Sequence, residues 1–371
     1  MVKKNLKRAF KIVYWFSGSM VLLSGAITNI SPATLGISPF IAYSLPLWVL
    51  INVSYLALVF YKKKYWVISG AFLCVGLWGL NNTYAISYPS KQSELRVMSY
   101  NVRLFDVYNW LQRDTWDNWE ERKDKGAILD SIYNTVKEVD PDIISFQEYF
   151  NQPFGTYKTK RQFKYKQGYK YTNISYSFKE KGSKYGMATF SKFPIINKKH
   201  IKFKGAQNNG ILISDIIKEN DTIRVFNVHL QSFKFGKNQY RYLRNLKDST
   251  YEAIDIPETK ALVTRLYNGF NRRADQIQIV LSEIEASPFP VIICGDLNEV
   301  PLSFAYEQLK CNLQDSFLEA GSGLGITHTS GYPFMRIDYI FTSPVFETTG
   351  YQTIERELSD HYPIVVDLKM P

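Results

Sequence analysis

The sequence predicts an α+β fold, in which packed β-sheets carry helices on their outer sides, preceded by three transmembrane helices. Many short apolar segments of strand character, separated by few helical segments, occur between residues 95 and 368. Before them, three apolar runs of about 20 residues each occupy most of the first 86 positions. The 371 residues, 45% hydrophobic and 21% charged, have the composition of a folded protein.

The three apolar runs, at 10–30, 39–60 and 65–86, contain no acidic residue and one basic residue, Lys11. Each has the length that crosses a bilayer as a helix, and none shows the polar face expected of a helix in a soluble core. The sequence therefore predicts a transmembrane region with three helices over residues 1–86. Two spans after a cleaved signal peptide are the alternative, but no small-residue cleavage pattern follows the first run.

Basic residues are distributed unevenly around these runs. Residues 1–89 hold eight Lys or Arg and no acid, whereas the rest of the chain carries 37 basic and 34 acidic residues. Four of the eight precede the first run, Lys11 is its second residue, and Lys62 to Lys64 follow the second run, while the loop at 31–38 carries none. By the positive-inside rule, the N-terminus and the Lys62–Lys64 loop are cytoplasmic. We therefore expect an integral protein of the plasma or inner membrane whose domain after Ile86 lies outside the cytoplasm.

After a short polar linker at 87–94, the pattern changes to that of one α+β domain over residues 95–371. Helices are predicted at about 117–138 and 259–286. Strands are predicted at 95–102, 142–147, 186–191, 210–217, 222–230, 290–294, 336–342 and 362–368.

Nearly every predicted strand ends in, or is introduced by, a polar residue that can bind a metal, move a proton or hold a phosphate. These residues are Asn101, Glu148, His229, Asp296, Asn298, Asp360 and His361, and a further acid, Asp338, lies within the predicted strand at 336–342. Each alone has an ordinary structural explanation, such as a turn or a buried histidine with a satisfied hydrogen bond. Their repetition at strand ends instead indicates a functional site built from strand ends and loops.

Seven segments, in order, resemble those of the endonuclease/exonuclease/phosphatase superfamily, whose members share the fold of pancreatic deoxyribonuclease. The segments are SYNVR, FQE, YGMATFSKFPI, NVHL, GDLN, RIDYIF and SDHYPI, and they cover residues 95–368. The resemblance implies two packed mixed β-sheets flanked by helices, as a four-layer sandwich. It also implies a metal-dependent hydrolase that acts on phosphoric ester bonds.

The resemblance further implies a metal site. Glu148 is expected to be the principal ligand, supported by Asn101 and Asp360, because Mg²⁺ takes carboxylate oxygens and keeps several waters. Mn²⁺ or Ca²⁺ are alternatives to Mg²⁺, and these residues do not decide between one ion and two.

The remaining strand-end residues are expected to be catalytic. His361 corresponds to the general base that takes a proton from the attacking water, with Asp338 fixing its tautomer. His229 is expected to donate a hydrogen bond or proton to the phosphoryl and leaving oxygens. Asp296 and Asn298 are expected to position the water and the phosphate.

Residues 158–204 contain fourteen basic residues and one acid, interleaved with aromatic residues. Such a segment suits a nucleic-acid backbone, an anionic membrane surface, or a solvated hairpin. Substrate contacts are predicted for Lys164, Lys166, Lys170 and Tyr185 of this segment, and for Arg103. A second basic run follows His229 at 234–247.

Arg103 replaces the acidic residue found at this place in the abasic-site endonuclease branch. With His229 present, this replacement favours the deoxyribonuclease, sphingomyelinase and phosphatase-like branches over DNA repair.

The leading hypothesis is a membrane-tethered, metal-dependent phosphodiesterase that resembles the nucleases, with nucleic acid as one candidate substrate. A phospholipid or phosphoinositide phosphoesterase is the second hypothesis, and a non-catalytic polyanion-binding module is the third. The third is disfavoured because no motif position is lost. No protein partner is inferred.

The predicted topology can be tested with reporter fusions. An alkaline phosphatase fused after Pro371 should be active, because the three spans place the C-terminus outside the cytoplasm. The same reporter fused after Lys64 should be inactive. Cytoplasmic exposure of the C-terminal fusion would show that the number or the orientation of the spans is wrong.

Overall fold

The structure, a computed structural model, describes residues 2–58, 63–87, 93–108, 126–180, 182–206, 208–233, 242, 256–329 and 335–370. The helices are α1 (Val2–Ala26), α2 (Ser38–Tyr43), α3 (Leu45–Leu58), α4 (Lys63–Gly79), α5 (Ala127–Val139), α6 (Thr159–Arg161), α7 (Ile256–Glu285), α8 (Phe304–Lys310) and α9 (Ser316–Ala320). The strands are β1 (Ala85–Ile86), β2 (Leu95–Asn101), β3 (Ile143–Asn151), β4 (Tyr171–Glu180), β5 (Ser183–Ser191), β6 (Ile195–Lys202), β7 (Gly210–Lys218), β8 (Asp221–His229), β9 (Val291–Asp296), β10 (Gln314–Asp315), β11 (Ser322–Gly323), β12 (Asp338–Thr342), β13 (Glu347–Thr353) and β14 (Ile364–Lys369).

Two six-stranded sheets form the centre of the described domain. The first has the order β13-β14-β2-β3-β5-β4 and the second the order β10-β12-β9-β8-β7-β6. The β2–β3 and β8–β9 pairs are parallel, and the other pairs are antiparallel, so both sheets are mixed.

The two sheets pack face to face, with helices on their outer sides. Val97 of the first sheet and Val225 of the second belong to the apolar layer between them. Ile132 of α5 packs on the outer face of the first sheet, and Ile277 of α7 and Leu309 of α8 pack on that of the second. Because the central strands are buried on both faces, they appear in the sequence as nearly continuous apolar runs. The predicted α+β sandwich of four layers is confirmed.

Three strands that the apolar pattern does not predict, β4, β6 and β13, lie at edges of the two sheets. Edge strands keep much of their surface in water, and the middle of β6 is exposed on both faces. No apolar run therefore marks them. The predicted helix at 259–286 corresponds to α7, whereas the one at 117–138 is described only from Gly126 onward and appears as α5.

Helices α1, α3 and α4 form a bundle. α3 runs antiparallel to α1, because Phe10 contacts Tyr55 and, farther along α1, Phe16 contacts Trp48, with ring centroids 4.9 Å and 5.5 Å apart. Many apolar side chains on the outside of the bundle are exposed, including Trp78, which is 71% exposed. Apolar surfaces of this kind are normal for helices in contact with lipid.

α4 runs parallel to α1 along much of the bundle. Near one end, the Tyr14 hydroxyl donates to the Tyr65 carbonyl at 3.2 Å. Near the other end, a Cβ atom placed on Gly79 would lie 3.7 Å from the Cα of Gly25. The C-terminal ends of α1 and α4 therefore lie on the same side of the bundle.

Two segments, Arg8–Asn29 and Ser38–Ala57, have the length and composition of membrane-crossing helices. The third predicted run, 65–86, differs from expectation because α4 ends at Gly79. The next residues pack on the domain instead, since Asn82 is 4% exposed and hydrogen-bonded there. Three spans and the domain boundary at 87–94, of which 88–92 lie outside the described residues, remain predictions.

The packing of the second sheet predicts a large effect for a small substitution. A Cβ atom at Gly295 would lie 1.9 Å from the carbonyl oxygen of Val228 on the neighbouring strand. Gly295→Ala should therefore lower the free energy of unfolding by about 1–3 kcal/mol. Gly70→Ala in α4, where no atom lies within 4 Å of the added carbon, is the matched control. Thermal unfolding of the full chain in detergent should show a lower melting temperature for Gly295→Ala alone, and equal values would contradict the packing.

Candidate active site

The carboxyl ends of the parallel strands lie at one edge of the sandwich. β2 and β3 run in parallel in the first sheet, β8 and β9 run in parallel in the second, and antiparallel β12 and β14 begin at this same edge. The predicted site residues come together there, and we call this edge the site edge. They are Asn101, Glu148, His229, Asp296, Asn298, Asp338, Asp360 and His361.

The carboxylate of Asp296, which is 1% exposed, lies at the centre of the site edge. Its Oδ2 atom accepts hydrogen bonds from the side-chain amides of Asn101 and Asn298, each at 3.1 Å. Its Oδ1 atom accepts the backbone N–H of Asn298 at 2.8 Å. Burial raises the pKa of Asp296, although His361 opposes the rise. The amide donors and nearby imidazoles therefore compensate the carboxylate for its loss of water.

His361 and Asp338 form a buried hydrogen-bonded pair. The Nδ1 atom of His361 lies 2.8 Å from Oδ2 of Asp338, and its Nε2 atom lies 3.8 Å from Oδ2 of Asp296. Burial alone would lower the pKa of His361, but Asp338 and then Asp296 hold it well above its ordinary value. With Nδ1 bound to Asp338, Nε2 is the nitrogen available to exchange a proton at the centre of the site.

His229 lies at the end of β8 and approaches Asp296 from the opposite side of the pair. Its Nε2 atom is 3.6 Å from Oδ2 of Asp296, and the side chain is 5% exposed. Its Nδ1 atom is buried and has no hydrogen-bond partner among the described residues. Because a buried polar atom without a partner costs free energy, this nitrogen suits a bound ligand or water.

Glu148 lies where the pairing of β3 with β5 shifts register, between Phe146 and Tyr149. Its backbone has a φ of 49°, in the left-handed region that non-glycine residues rarely adopt. The side chain is partly buried, and no donor from the described residues reaches its carboxylate. Burial raises its pKa, with His229 opposing the rise. A partly buried carboxylate without a protein donor suits a cation.

Asp360 faces Arg103 across the site edge. Their Oδ2 and Nη1 atoms are 3.2 Å apart, and the Ser359 hydroxyl donates to Oδ1 of Asp360 at 3.2 Å. Burial alone would raise the pKa of Asp360, but His361 and Arg103 help to hold it below its ordinary value. Arg103 begins a turn in which four consecutive residues, through Asp106, have φ values between 39° and 56°. Such strained backbone is typical of functional sites.

The donor set at this edge fits a hard divalent cation. Glu148, Asn101 and Asp360 offer the carboxylate and amide oxygens that Mg²⁺ prefers. Two further groups of potential ligands have atoms within 4.8 Å of one another, His328 with Asp360 and His361, and Asp296 with Asp338 and His361. Both include His361, whose Nδ1 atom already binds Asp338. Neither group includes Glu148, so the assignment of Glu148, Asn101 and Asp360 as the metal ligands stays a prediction that rests on the chemistry of their oxygen atoms.

His328 belongs to the site, although no sequence motif indicates it. Its backbone pairs with that of His361, and the two imidazole rings meet edge to face with centroids 4.9 Å apart. Burial, reinforced by His361, lowers the pKa of His328 to about 4, so this ring is neutral near pH 7. One sequence signal could have indicated it, since the chain has four histidines and His328 lies just before the RIDYIF segment.

Tyr185 lies at the end of the β4–β5 hairpin that adjoins the site edge. It is aligned with Phe150 of β3, two residues beyond Glu148. Its hydroxyl is 2.7 Å from that of Tyr108.

The three lysines predicted to contact substrate do not join the cluster. Lys170 directly precedes Tyr171, which is aligned through Ser191 with Ile143 at the beginning of β3. That position is five residues, or about 16 Å, from Glu148 along the strand. Lys164 and Lys166 lie in the helical segment that leads there from Thr159. The second basic run at 234–247 lies outside the described residues, apart from Tyr242.

Comparison with known proteins agrees with the fold. The sequence model of the Endonuclease/Exonuclease/phosphatase family matches residues 98–361, and no curated protein matches the chain in sequence. An endonuclease/exonuclease/phosphatase from Beutenbergia cavernae is 18% identical, with a TM-score of 0.53 over 75% of this chain and 72% of its own. The mannosyl-6-phosphatase Bt3783 of Bacteroides thetaiotaomicron is 19% identical, with a TM-score of 0.51 over 75% of this chain and 100% of its own.

A third similar structure is that of D. rerio TDP2 complexed with a single-strand DNA product. It is 16% identical to this chain, with a TM-score of 0.50 over 74% of this chain and 99% of its own. At such identities the likeness concerns the fold, whereas the family match spans the whole cluster from β2 to His361. The chain therefore belongs to the endonuclease/exonuclease/phosphatase family and is a metal-dependent hydrolase of phosphoric ester bonds.

Proposed function

We propose that the chain is a membrane-anchored phosphodiesterase that uses Mg²⁺ and acts outside the cytoplasm. The observation that carries this proposal is the buried His361–Asp338 pair, which faces Asp296 and His229 across the site edge. A histidine oriented by a carboxylate, opposite a second histidine, is suited to moving protons on two sides of one phosphorus atom.

Glu148 would hold the metal, with Asn101 and Asp360 in support. A divalent cation bound there would neutralise negative charge on the phosphoryl oxygens. Asp296 accepts two amide hydrogen bonds at Oδ2 and one at Oδ1, so it would hold Asn101 and Asn298 in place, and the remaining acceptor site of Oδ1 would orient the attacking water.

His361 would act as the general base through Nε2. Its Nδ1 atom donates to Asp338, which fixes the tautomer and makes Nε2 more basic. His229, whose Nδ1 atom has no partner among the described residues, would donate to a phosphoryl or leaving oxygen on the other side. Arg103, which pairs with Asp360, would bind a phosphate oxygen.

Membrane anchorage is supported by the bundle. α1 and α4 run in parallel, so a bilayer that contains the middle of α1 also contains α4. Three crossings then place the domain on the side opposite the basic N-terminus, which is outside the cytoplasm by the positive-inside rule.

Nucleic acid is one candidate substrate. The similar structure of D. rerio TDP2 holds a single-strand DNA product, and Tyr176 and Lys184 lie together on the hairpin beside the site, with the ammonium 5.4 Å from the ring centroid. Aromatic and basic side chains of this kind stack on bases and bind phosphates. The position of Lys170 at the far end of the sheet weakens this candidate, because the basic segment does not lead continuously into the site.

Substitution of the base or of the metal ligand tests the catalytic assignment. His361→Ala and Glu148→Gln should each reduce the Mg²⁺-dependent hydrolysis of bis(p-nitrophenyl) phosphate by the full chain by at least about 10²-fold. His200→Ala and Glu347→Gln are matched controls, because these exposed residues bind Ser175 and Lys369 outside the site. Equal rates for a site variant and its control would refute that residue's role, and no turnover by the parent chain would indicate a non-catalytic module.

The pH dependence tests the His361–Asp338 pair. A base must be neutral, and because Asp338 helps to raise the pKa of His361, activity should rise with pH through that raised pKa. Asp338→Asn removes the carboxylate charge and should move the acidic limb of kcat/KM to lower pH, with a lower plateau because the tautomer is no longer fixed. Asp367→Asn, which affects the partner of Arg96 far from the site, should leave the limb where it is. An unmoved limb in Asp338→Asn would show that His361 is not the base.

A further inference from the structure

The end of the helical bundle at which α1 and α4 end and α3 begins is called the outer end here. It packs against the site edge rather than against the opposite end of the sandwich. The loop that follows Asn298 contributes Val300 and Leu302 to an apolar cluster with the bundle, and Leu302 is 4% exposed. The bundle residues of this cluster are Val21, Leu45, Val49 and Leu80. Only a few residues therefore separate the catalytic cluster from the bundle.

A buried polar contact fixes this attachment. Glu299, directly after Asn298, is 4% exposed and accepts hydrogen bonds from the Tyr43 hydroxyl and from Nε of Arg273, the latter at 2.6 Å. The Tyr339 hydroxyl donates to the Glu299 carbonyl at 2.8 Å. Removing one partner of such a buried pair is costly, so the bundle and the site edge are held in one orientation.

A second attachment follows α4. The side-chain amide of Asn82 donates to Glu307 at 2.8 Å, and Lys310 donates to the Asn82 side chain. The Asn82 carbonyl accepts Nη2 of Arg336 at 2.7 Å, two residues before Asp338. Strand β1 then pairs with β11 on the domain. The segment before α3 is thus attached next to Asn298, and the segment after α4 is attached next to Asp338.

The N-terminal half of α7 extends beyond the site edge toward the bundle. Arg273 donates to the carbonyl of Gln231, just after β8, which places this part of α7 level with the site edge. The preceding seventeen residues, 256–272, add about 25 Å of helix beyond that level. The ring of Tyr267 lies against Gly36 of the loop at 31–38, which is the outer loop of the bundle. A Cβ atom added to Gly36 would be 2.2 Å from this ring.

This half of α7 exposes apolar side chains next to that outer loop. Ile256 is 74% exposed, and Val263 and Tyr267 are each 45% exposed, while two basic residues, Lys260 and Arg265, outnumber the one acid, Glu258. Apolar and basic residues on one helix at a membrane boundary are typical of a segment that lies in the head-group region.

We infer that the site edge faces the outer surface of the membrane, and that the substrate is a phosphodiester in the head group of a lipid of that leaflet. This inference rests on the proposed function. The head-group layer begins where the bundle leaves the bilayer, and the bundle ends within a few residues of Asp296 and Asp338. A lipid phosphate thus reaches the site without leaving the membrane, whereas a polynucleotide would have to enter between the domain and the bilayer.

The inference can be tested with the full chain in proteoliposomes with Mg²⁺. The lipid substrates are phosphatidylinositol, phosphatidylglycerol and sphingomyelin in phosphatidylcholine vesicles. The comparison substrates are bis(p-nitrophenyl) phosphate and a single-stranded oligonucleotide. At least one lipid should be hydrolysed faster than the oligonucleotide.

A double variant tests the role of α7. Ile256→Asp with Val263→Asp should slow lipid hydrolysis by about tenfold or more and leave bis(p-nitrophenyl) phosphate hydrolysis unchanged, because head-group contact is lost while the cluster is intact. Val345→Asp changes a valine that is 54% exposed, between β12 and β13 at the other end of the sandwich, and should change neither rate. Equal lipid hydrolysis by the double variant and the parent would overturn the inference.

The other outcomes separate the inference from the proposed function. Hydrolysis of bis(p-nitrophenyl) phosphate and the oligonucleotide but of no lipid overturns the inference alone and favours a nuclease. Failure of the parent on every phosphodiester overturns both.

A measurement independent of activity keeps the inference testable if the double variant does not fold. Bimane attached to Val263→Cys, with the exposed Cys74 and Cys311 replaced by Ser, should be quenched by lipids that carry a nitroxide on the head group. Bimane at Val345→Cys should not be. Equal quenching at the two positions would overturn the proposed orientation.

Discussion

The buried carboxylate of Asp296 is the interaction on which the rest of the site depends. It ends the central strand of the second sheet, yet its Oδ2 atom accepts the amide of Asn101 from the end of β2 in the first sheet. A carboxylate removed from water needs donors, and here those donors are the candidate site residues Asn101 at the end of β2 and Asn298 just after β9. Because the two histidines also approach this oxygen, the edges of the sheets cannot separate without leaving a charge unsatisfied.

Below this carboxylate, a second polar contact sets the distance between the sheets. The side-chain amide of Gln147 donates to that of Asn227 at 2.9 Å, and Asn227 donates in turn to the carbonyls of Phe146 and Ala188. Both side chains are fully buried in an otherwise apolar layer. They directly precede Glu148 and Val228–His229 in the sequence, so this contact aligns the strand ends that carry the candidate metal ligand and the second histidine. The left-handed backbone at Glu148 and Asn298 is tolerated because this packing surrounds it.

In the proposed function, the helices of the bundle do more than tether the domain to a membrane. One span on a flexible linker would keep the domain near the bilayer but would let it turn freely. Here Glu299 and Arg336, neighbours of the candidate catalytic residues Asn298 and Asp338, bind the bundle through buried polar contacts. The proposed anchor would therefore need several helices because one helix offers too small a surface to hold the site edge in one orientation.

The sequence by itself determined the family, the buried strands and the polar residues at their ends. A strand that is buried on both faces consists of consecutive apolar residues, so a polar residue at its end is visible in the sequence. It also determined the two long apolar helices, because an apolar run of about 20 residues is visible within one segment. The tertiary structure alone decided features that depend on distance in space. The edge strands β4, β6 and β13 have too little burial to mark them, and His328 reaches His361 only because a loop folds back on it. Strand register places Lys170 at the far end of the sheet, and packing against the domain fixes Asn82. Both contacts join residues that are remote in sequence, so the periodicity of a single segment cannot predict them.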